Sequence, residues 1–381
     1  MLNRKLITQS EIRNMSLECE KINGINLSQG ISNLKLNEQI EEGAREAISN
    51  GFNYYTRYDG IDELKEEISI KANNYNKIKC DPNKNVIVSS GATGAFYSAC
   101  IALLNPGDEV ILFEPYYGYH VNTLISLGIK PVFVKLDLPD LTINFEELIK
   151  KITIKTRAII ICTPSNPSGK VYTIDELIKL GEISKLNSLK VFTDEIYEYF
   201  LYDNMEHISP ASLNIFKDNT ITISGYSKTF SITGWRVGYL IVPEEFHDLI
   251  GHINDLIYVC APSPLQYGVA RGINKIKDKF YQSIISSFTK KRDLICNTLN
   301  QIGLIPIQPQ GAYYVLADVS KINGKNSKEK AMNILKKTKV ACVPGSSFYS
   351  DPGDDNLVRF CFAKEDFELE KACEYLLKLK K

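Results

Sequence analysis

The sequence predicts an α/β fold: a large domain with a mainly parallel central sheet flanked by helices, plus a smaller α+β domain. Two observations point there. Between about residues 50 and 275, short runs rich in Val and Ile alternate with amphipathic stretches at helical spacing, the order that builds a parallel sheet. Those runs are apolar at nearly every position rather than at every second one, as strands covered on both faces require.

The expected strands are 86–90, 109–113, 131–135, 158–162, 190–193, 220–224 and 237–242. Between them, a helix opens near Thr93 and is stopped by Asn105-Pro106-Gly107. Thr173-Ile174-Asp175-Glu176 is a capping box that opens a helix over 174–186. The last hundred residues change pattern. A long helix over 280–302 is followed by short strands near 313–317 and 358–362, with helices around 327–337 and 367–377. The expected division is a large domain over 46–275 and a discontinuous small domain made of 1–45 and 276–381.

With 381 residues, 44% of them hydrophobic, the chain can bury a sizeable core, which excludes disorder and a disulfide-stapled mini-fold. Its 45 basic and 45 acidic residues cancel, so it carries no electrostatic footprint for nucleic acid or an anionic membrane. Nine cysteines without a CxxC pair read as reduced thiols of a cytoplasmic protein, and with four scattered histidines no metal cluster is expected. No apolar run reaches the ~18 residues of a membrane span. The expectation is a soluble, cytoplasmic protein without nucleic-acid, membrane or metal partners.

The most specific segment is Ser224-Gly225-Tyr226-Ser227-Lys228-Thr229-Phe230-Ser231-Ile232-Thr233-Gly234-Trp235-Arg236-Val237-Gly238. A lysine follows a strand end among small and hydroxyl residues, and an arginine comes eight positions later. Taken alone, Lys228 would be an ordinary surface charge. The spaced pattern instead suits an amine that forms a Schiff base beside a phosphate held by a guanidinium. The segment resembles the pyridoxal-phosphate attachment site of the class I/II aminotransferases, in the fold-type-I superfamily that includes aspartate aminotransferase. The resemblance implies that fold, pyridoxal 5'-phosphate as cofactor, Lys228 as the Schiff-base lysine, and Ser227 and Arg236 as cofactor ligands.

Other motifs follow in the order the resemblance requires. In Val191-Phe192-Thr193-Asp194-Glu195-Ile196-Tyr197 an acid ends a strand, where an α/β sheet presents its ligand crevice. By itself Asp194 or Glu195 could equally cap a helix. The resemblance assigns Asp194 to the cofactor's pyridine nitrogen and Tyr197 to its phenolic oxygen. Thr163-Pro164-Ser165-Asn166-Pro167-Ser168-Gly169 reads as a turn; by resemblance Asn166 binds the phenolic oxygen and precedes a cis proline. Ser89-Ser90-Gly91-Ala92-Thr93-Gly94-Ala95 follows a strand and opens a helix, so its backbone N–H groups can approach a phosphate. The resemblance makes Gly91, Ala92 and Thr93 a phosphate cup. It places the ring of Tyr117 over the pyridine, although with 21 tyrosines in the chain a core tyrosine is the alternative. It sends Tyr55 to the phosphate of a neighbouring subunit, which implies a homodimer with active sites at its interface.

Arg359 lies in the apolar run Leu357-Val358-Arg359-Phe360-Cys361-Phe362. A buried arginine needs a partner, and a carboxylate gripped by both arms of the guanidinium is its best one. That carboxylate could belong to the protein; by resemblance it is the substrate's, with Gly30 and Asn166 beside it. Leu27-Ser28-Gln29-Gly30-Ile31-Ser32 departs from the family pattern, with Ser32 in place of a proline.

The implied activity is a ping-pong transfer of an amino group between an amino acid and a 2-oxo acid, with Lys228, Asp194 and Tyr197 catalytic. The alternatives are a cysteine-S-conjugate β-lyase on the same scaffold and, from another class, a non-catalytic pyridoxal-phosphate-binding regulator. The regulator is disfavoured by the short stretch ahead of residue 27 and by the neutral charge. Side-chain preference is not legible. Arg57 or Arg271 could supply a second cation for dicarboxylates, while Tyr54, Tyr58, Tyr116 and Tyr119 would suit large apolar side chains or could equally be core residues.

Overall fold

In the computed structural model, which describes residues 10–32, 35–351 and 356–380, the apolar runs become one eight-stranded sheet. Its strands are β1 (Val86–Ser90), β2 (Glu109–Glu114), β3 (Lys130–Asp137), β4 (Thr142–Ile143), β5 (Thr156–Cys162), β6 (Lys190–Asp194), β7 (Thr220–Gly225) and β8 (Val237–Ile241). Their order across the sheet is β1-β8-β7-β6-β5-β2-β3-β4.

Alternate residues of each central strand feed different cores, which is why the runs are apolar throughout. Val110 and Leu112 of β2 join a cluster with Phe96, Ile160, Phe192 and Leu240. Ile111 and Phe113 join another with Val134, Ile159, Leu177 and Phe216. The helix Ile174–Leu186 covers that second face. It starts where the capping box predicts, with the Thr173 hydroxyl accepting from Glu176 N at 3.3 Å and Glu176 Oε2 accepting from Thr173 N at 3.0 Å.

Strands β2, β3, β5, β6 and β7 pair in parallel, as expected. Two are reversed: β4 is antiparallel to β3, and β8 is antiparallel to both β7 and β1. An apolar run reads the same in either direction, so nothing in residues 237–242 announces the reversal. Its consequence is geometric. Flanked on both sides by antiparallel pairings, β8 leaves β1 running with the parallel set. The ends of β1, β6 and β7 and the start of β8 therefore share one edge of the sheet. Gly91 follows β1, Asp194 ends β6, Ser227 and Lys228 follow β7, and Arg236 precedes β8.

A second sheet is antiparallel: β9 (Ile305–Ile307), β10 (Tyr314–Asp318), β11 (Val343–Pro344) and β12 (Leu357–Cys361), in the order β9-β10-β12-β11. The helices Asp278–Gln301, Ser327–Thr338 and Asp366–Leu376 pack on it around Ile295, Leu299, Val315, Ile334, Phe360 and Leu369. Near the start of the chain, Ile25–Asn26 pairs in parallel with Val340–Ala341, and the Leu27 carbonyl accepts from Cys361 N at 2.7 Å. These contacts dock residues 27–32 beside β12. The helix Glu38–Ser49 instead lies against Ser263–Lys275, with Gly268 tight on Ala44. Among the described residues no helix is long and apolar enough to cross a membrane.

Candidate active site

Lys228 stands half-buried just beyond β7. Its Nζ donates to the Gly30 carbonyl at 3.0 Å and lies 5.9 Å from the ring centroids of both Tyr197 and Tyr313. The Tyr313 hydroxyl donates to the same carbonyl at 3.1 Å. Burial pushes the Lys228 ammonium down to about 8; Arg236 and Arg359 add to the shift, and Cys361 and Asp194 oppose it. At pH 8 half of such an amine is free, against roughly one part in 300 for an ordinary lysine.

On one side of it, Arg236 packs on the first turn of the helix Gly91–Leu103. Its two guanidinium nitrogens donate to the carbonyls of Thr233 (2.8 Å) and Ser90 (3.5 Å), and among the described residues no carboxylate pairs with it. Gly91 has φ +70°, and a Cβ there would lie 2.3 Å from a guanidinium nitrogen. The positive φ favours glycine, and the missing Cβ leaves room for the guanidinium against the helix start. The free N–H groups of a helix start and an unpaired guanidinium together make an anion site. Ala92 is half-buried, Thr93 is exposed on the rim, and Ser227 is buried next to Lys228.

Asp194 is buried at the end of β6. Its Oδ2 lies 3.0 Å from His120 Nε2, and its Oδ1 accepts from Ile196 N at 3.3 Å. His120 is itself buried between Phe96 (4.6 Å) and the edge-on ring of Tyr117 (5.3 Å). Tyr117 is half-buried and stacks on Tyr119 at 5.2 Å.

Opposite, Arg359 is fully buried in β12. Its arms donate to Asn166 Oδ1 at 2.7 Å and to the Ser28 carbonyl at 2.6 Å, while Nε has no partner among the described residues. The guanidinium carbon lies 4.3 Å from the ring centroid of Tyr314 and 5.1 Å from that of Phe348. Among the described residues no protein carboxylate pairs with it, so the internal ion pair that the sequence left open is absent there. A fully buried cation bonded only by neutral oxygens is poised for an external anion. The Asn166–Pro167 peptide is cis. The Tyr197 and Tyr314 hydroxyl oxygens are 2.9 Å apart.

The structure thus links Gly30, Asn166, Tyr197, Lys228 and Arg359 through direct contacts or the shared Tyr314, sets Gly91 against Arg236 and Tyr117 near Asp194 through His120, and brings Asp194, Arg236 and Arg359 close enough to act on the Lys228 amine; Ala92, Thr93 and Ser227 adjoin these residues in the chain. It does not bring Tyr55 into contact with them. Tyr55 is 82% exposed, in a surface hollow with Phe52, Arg57 and Tyr267. Both arginines considered for a second cation are engaged elsewhere: Arg57 bonds Asp59 at 2.9 Å, and Arg271 lies 3.7 Å from Glu46. The departure at Ser32 has a use, since its hydroxyl is 2.9 Å from that of Ser231, just past Lys228. Sequence reasoning missed His120 and Tyr314. A signal existed for His120, which comes three residues after Tyr117 at the start of the helix Gly118–Ser126.

Residues 22–376 match the family described as "Aminotransferase class I and II". The chain belongs to this family. The aspartate aminotransferase of Pyrococcus abyssi is 33% identical over 377 residues, covering 98% of this chain and 96% of that protein. The aromatic-amino-acid aminotransferase 2 of Thermococcus litoralis is 32% identical over 380 residues, covering 99% and 97%. Among solved structures, N-succinyldiaminopimelate aminotransferase from Mycobacterium tuberculosis matches with a TM-score of 0.95 at 30% identity, covering 100% of both chains. The family, fold and activity that the motifs imply are borne out: the protein is an aminotransferase, of a family that uses pyridoxal phosphate and works on amino acids and 2-oxo acids.

Proposed function

We propose that this aminotransferase binds pyridoxal 5'-phosphate through Lys228 and exchanges amino groups between an amino acid and a 2-oxo acid by a ping-pong route. The observation that carries this is a depressed lysine amine close to a fully buried guanidinium that, among the described residues, pairs with no protein anion. The residues suit the cofactor. Arg236, Ser227 and the helix start at Gly91, Ala92 and Thr93 would hold its phosphate. Asp194, steadied by His120, would keep a proton on the ring nitrogen. Asn166 and Tyr197 would bond the phenolic oxygen, and Tyr117 would cover the ring face. When bound, pyridoxal phosphate supplies an electron sink for the carbanion left as the α-proton departs. Arg359 grips the substrate carboxylate beside Gly30 and Asn166, and Lys228 carries the proton to and from the α-carbon.

The exposure of Tyr54 and Tyr55, at 83% and 82%, supports a homodimer in which Tyr55 reaches the partner's phosphate site. Nine free cysteines support a reducing, cytoplasmic location. A large domain over 46–275 and a small one of 1–45 and 276–381 remain our proposed division; the helix Glu38–Ser49 straddles its first boundary.

The test is a visible spectrum of the protein with pyridoxal phosphate, before and after single amino acids. A cofactor band that converts to the amino form as an oxo acid is released supports the reading and names the donor. A persisting band with ammonia and pyruvate released would favour β-elimination instead. The capture rate of the cofactor carries a pH signature. Below about pH 8 the Lys228 amine is mostly protonated and cannot attack; above it the amine is free. The rate is expected to rise with pH and level off above about 8. A rise continuing toward pH 10, followed by stopped-flow absorbance, would contradict the depressed amine.

A further inference from the structure

Building on the roles proposed above for Tyr197 and Arg359, we propose that Tyr314 is a positioning residue that couples the carboxylate-binding guanidinium to the cofactor-facing phenol of Tyr197. Both tyrosines are buried, and their hydroxyl oxygens are 2.9 Å apart. Each hydroxyl has one proton, so one donates to the other and the second proton must point elsewhere. The Arg359 charge decides which. It sits 4.3 Å from the Tyr314 ring, where a cation favours the more acidic phenol. After burial, which raises both phenols, Arg359 is the leading influence on Tyr314 and lowers it, whereas Tyr197 feels chiefly its neighbouring tyrosines. Tyr314 is therefore the donor. The Tyr197 oxygen accepts, and its own proton is left for an acceptor on the Lys228 side.

The surroundings hold Tyr314 to this task. Gly30 presses on its hydroxyl, so that a Cβ at residue 30 would lie 1.9 Å from it. The neighbouring Tyr313 hydroxyl is already bonded to the Gly30 carbonyl. Besides Arg359 and Tyr197, the titratable groups facing Tyr314 are Cys361, Tyr313 and Tyr117, and the last two also face Tyr197; around Lys228 the groups are Asp194, Arg236, Arg359, Cys361, Tyr197 and Tyr313. All of these stay in place when only the Tyr314 hydroxyl is removed.

The coupling has a direction. A donor to the cofactor's phenolic oxygen favours the deprotonated, more anionic chromophore and lowers its pKa. A carboxylate on Arg359 offsets the guanidinium charge, so Tyr314 donates less strongly, Tyr197 in turn donates less, and the chromophore pKa rises. The site thus registers a bound carboxylate before any bond changes.

The experiment is a spectrophotometric pH titration of the pyridoxal-phosphate-loaded protein, with and without 3-phenylpropionate, a carboxylate that lacks an amino group. Tyr314→Phe keeps the ring under Arg359 and is expected to raise the chromophore pKa by about half to one unit. It should also remove at least half of the rise that 3-phenylpropionate causes in the wild type. Tyr197→Phe cuts the relay at its other end, so it should likewise diminish the carboxylate-induced rise, and this arm does not depend on the Tyr314 variant folding. The double variant should shift no further than Tyr197→Phe alone. A normal band whose pKa ignores Tyr314→Phe, or a double-variant shift equal to the sum of the single ones, would overturn the coupling alone. A wild-type protein that forms no band would overturn the cofactor assignment, and the coupling with it.

Discussion

Replacing Lys228 with alanine is expected to abolish covalent cofactor capture and lower transamination by at least about 10⁴-fold, because in the proposed function one amine would serve as both anchor and proton carrier. The fold should survive. Burial disfavours the charged form of this amine, so its removal takes away a desolvation cost rather than a stabilising contact. Nor does the change leave an orphan acceptor, since the Gly30 carbonyl keeps the Tyr313 hydroxyl as a donor. The melting temperature should hold or rise. Two measurements check the result: the intact mass after borohydride reduction with pyridoxal phosphate, and single-turnover kinetics with an amino donor. A variant that still carries the reduced cofactor mass, or still turns over at near wild-type rate, would refute the assignment of Lys228.

The features legible in the sequence are those whose cause is local. The capping box at Thr173 fixes a helix start through bonds between residues three apart, and the structure begins the helix there. Apolar runs give strands because both faces of the sheet are covered. Arg359 drew attention because a charge in the run 357–362 has no inexpensive explanation, and the structure buries it completely. The illegible features depend on pairings between distant segments. The direction of β8 is set by its neighbours β1 and β7, not by its own residues. The contact between Tyr197 and Tyr314 joins positions 117 residues apart, and no spacing rule reaches that far. His120 meets Asp194 only because the helix Gly118–Ser126 carries it to the end of β6. Tyr55 is exposed on this chain, and the role proposed for it would need a partner subunit.

Arg359→Lys is the sharpest test of the carboxylate site, because it keeps the charge and removes the geometry. The guanidinium reaches Asn166 Oδ1 and the Ser28 carbonyl with its two arms and, among the described residues, still has Nε unpartnered. An ammonium is a point charge on a flexible stem and cannot serve two fixed protein acceptors while gripping a carboxylate with parallel bonds. Losing one or two charge-assisted bonds corresponds to about 10²-fold in amino-donor affinity. The expected result is a KM raised by about that factor with a smaller fall in kcat, because the carboxylate is held alike in the ground and transition states. Cofactor capture should persist, since Arg359 stands on β12 while, in the proposed reading, Arg236 and the helix start at Gly91 would hold the phosphate side. Arg359→Ala goes further: it leaves Asn166 Oδ1 and the Ser28 carbonyl short of a donor, at about 1–3 kcal/mol each, but it also removes a buried cation that no protein anion among the described residues balances. These effects oppose one another, so its melting temperature should move less than its KM. Steady-state kinetics over a panel of amino donors, with parallel melts, reads both quantities. An unchanged KM in Arg359→Lys would remove the carboxylate from this site and leave the buried guanidinium without a purpose in the reaction.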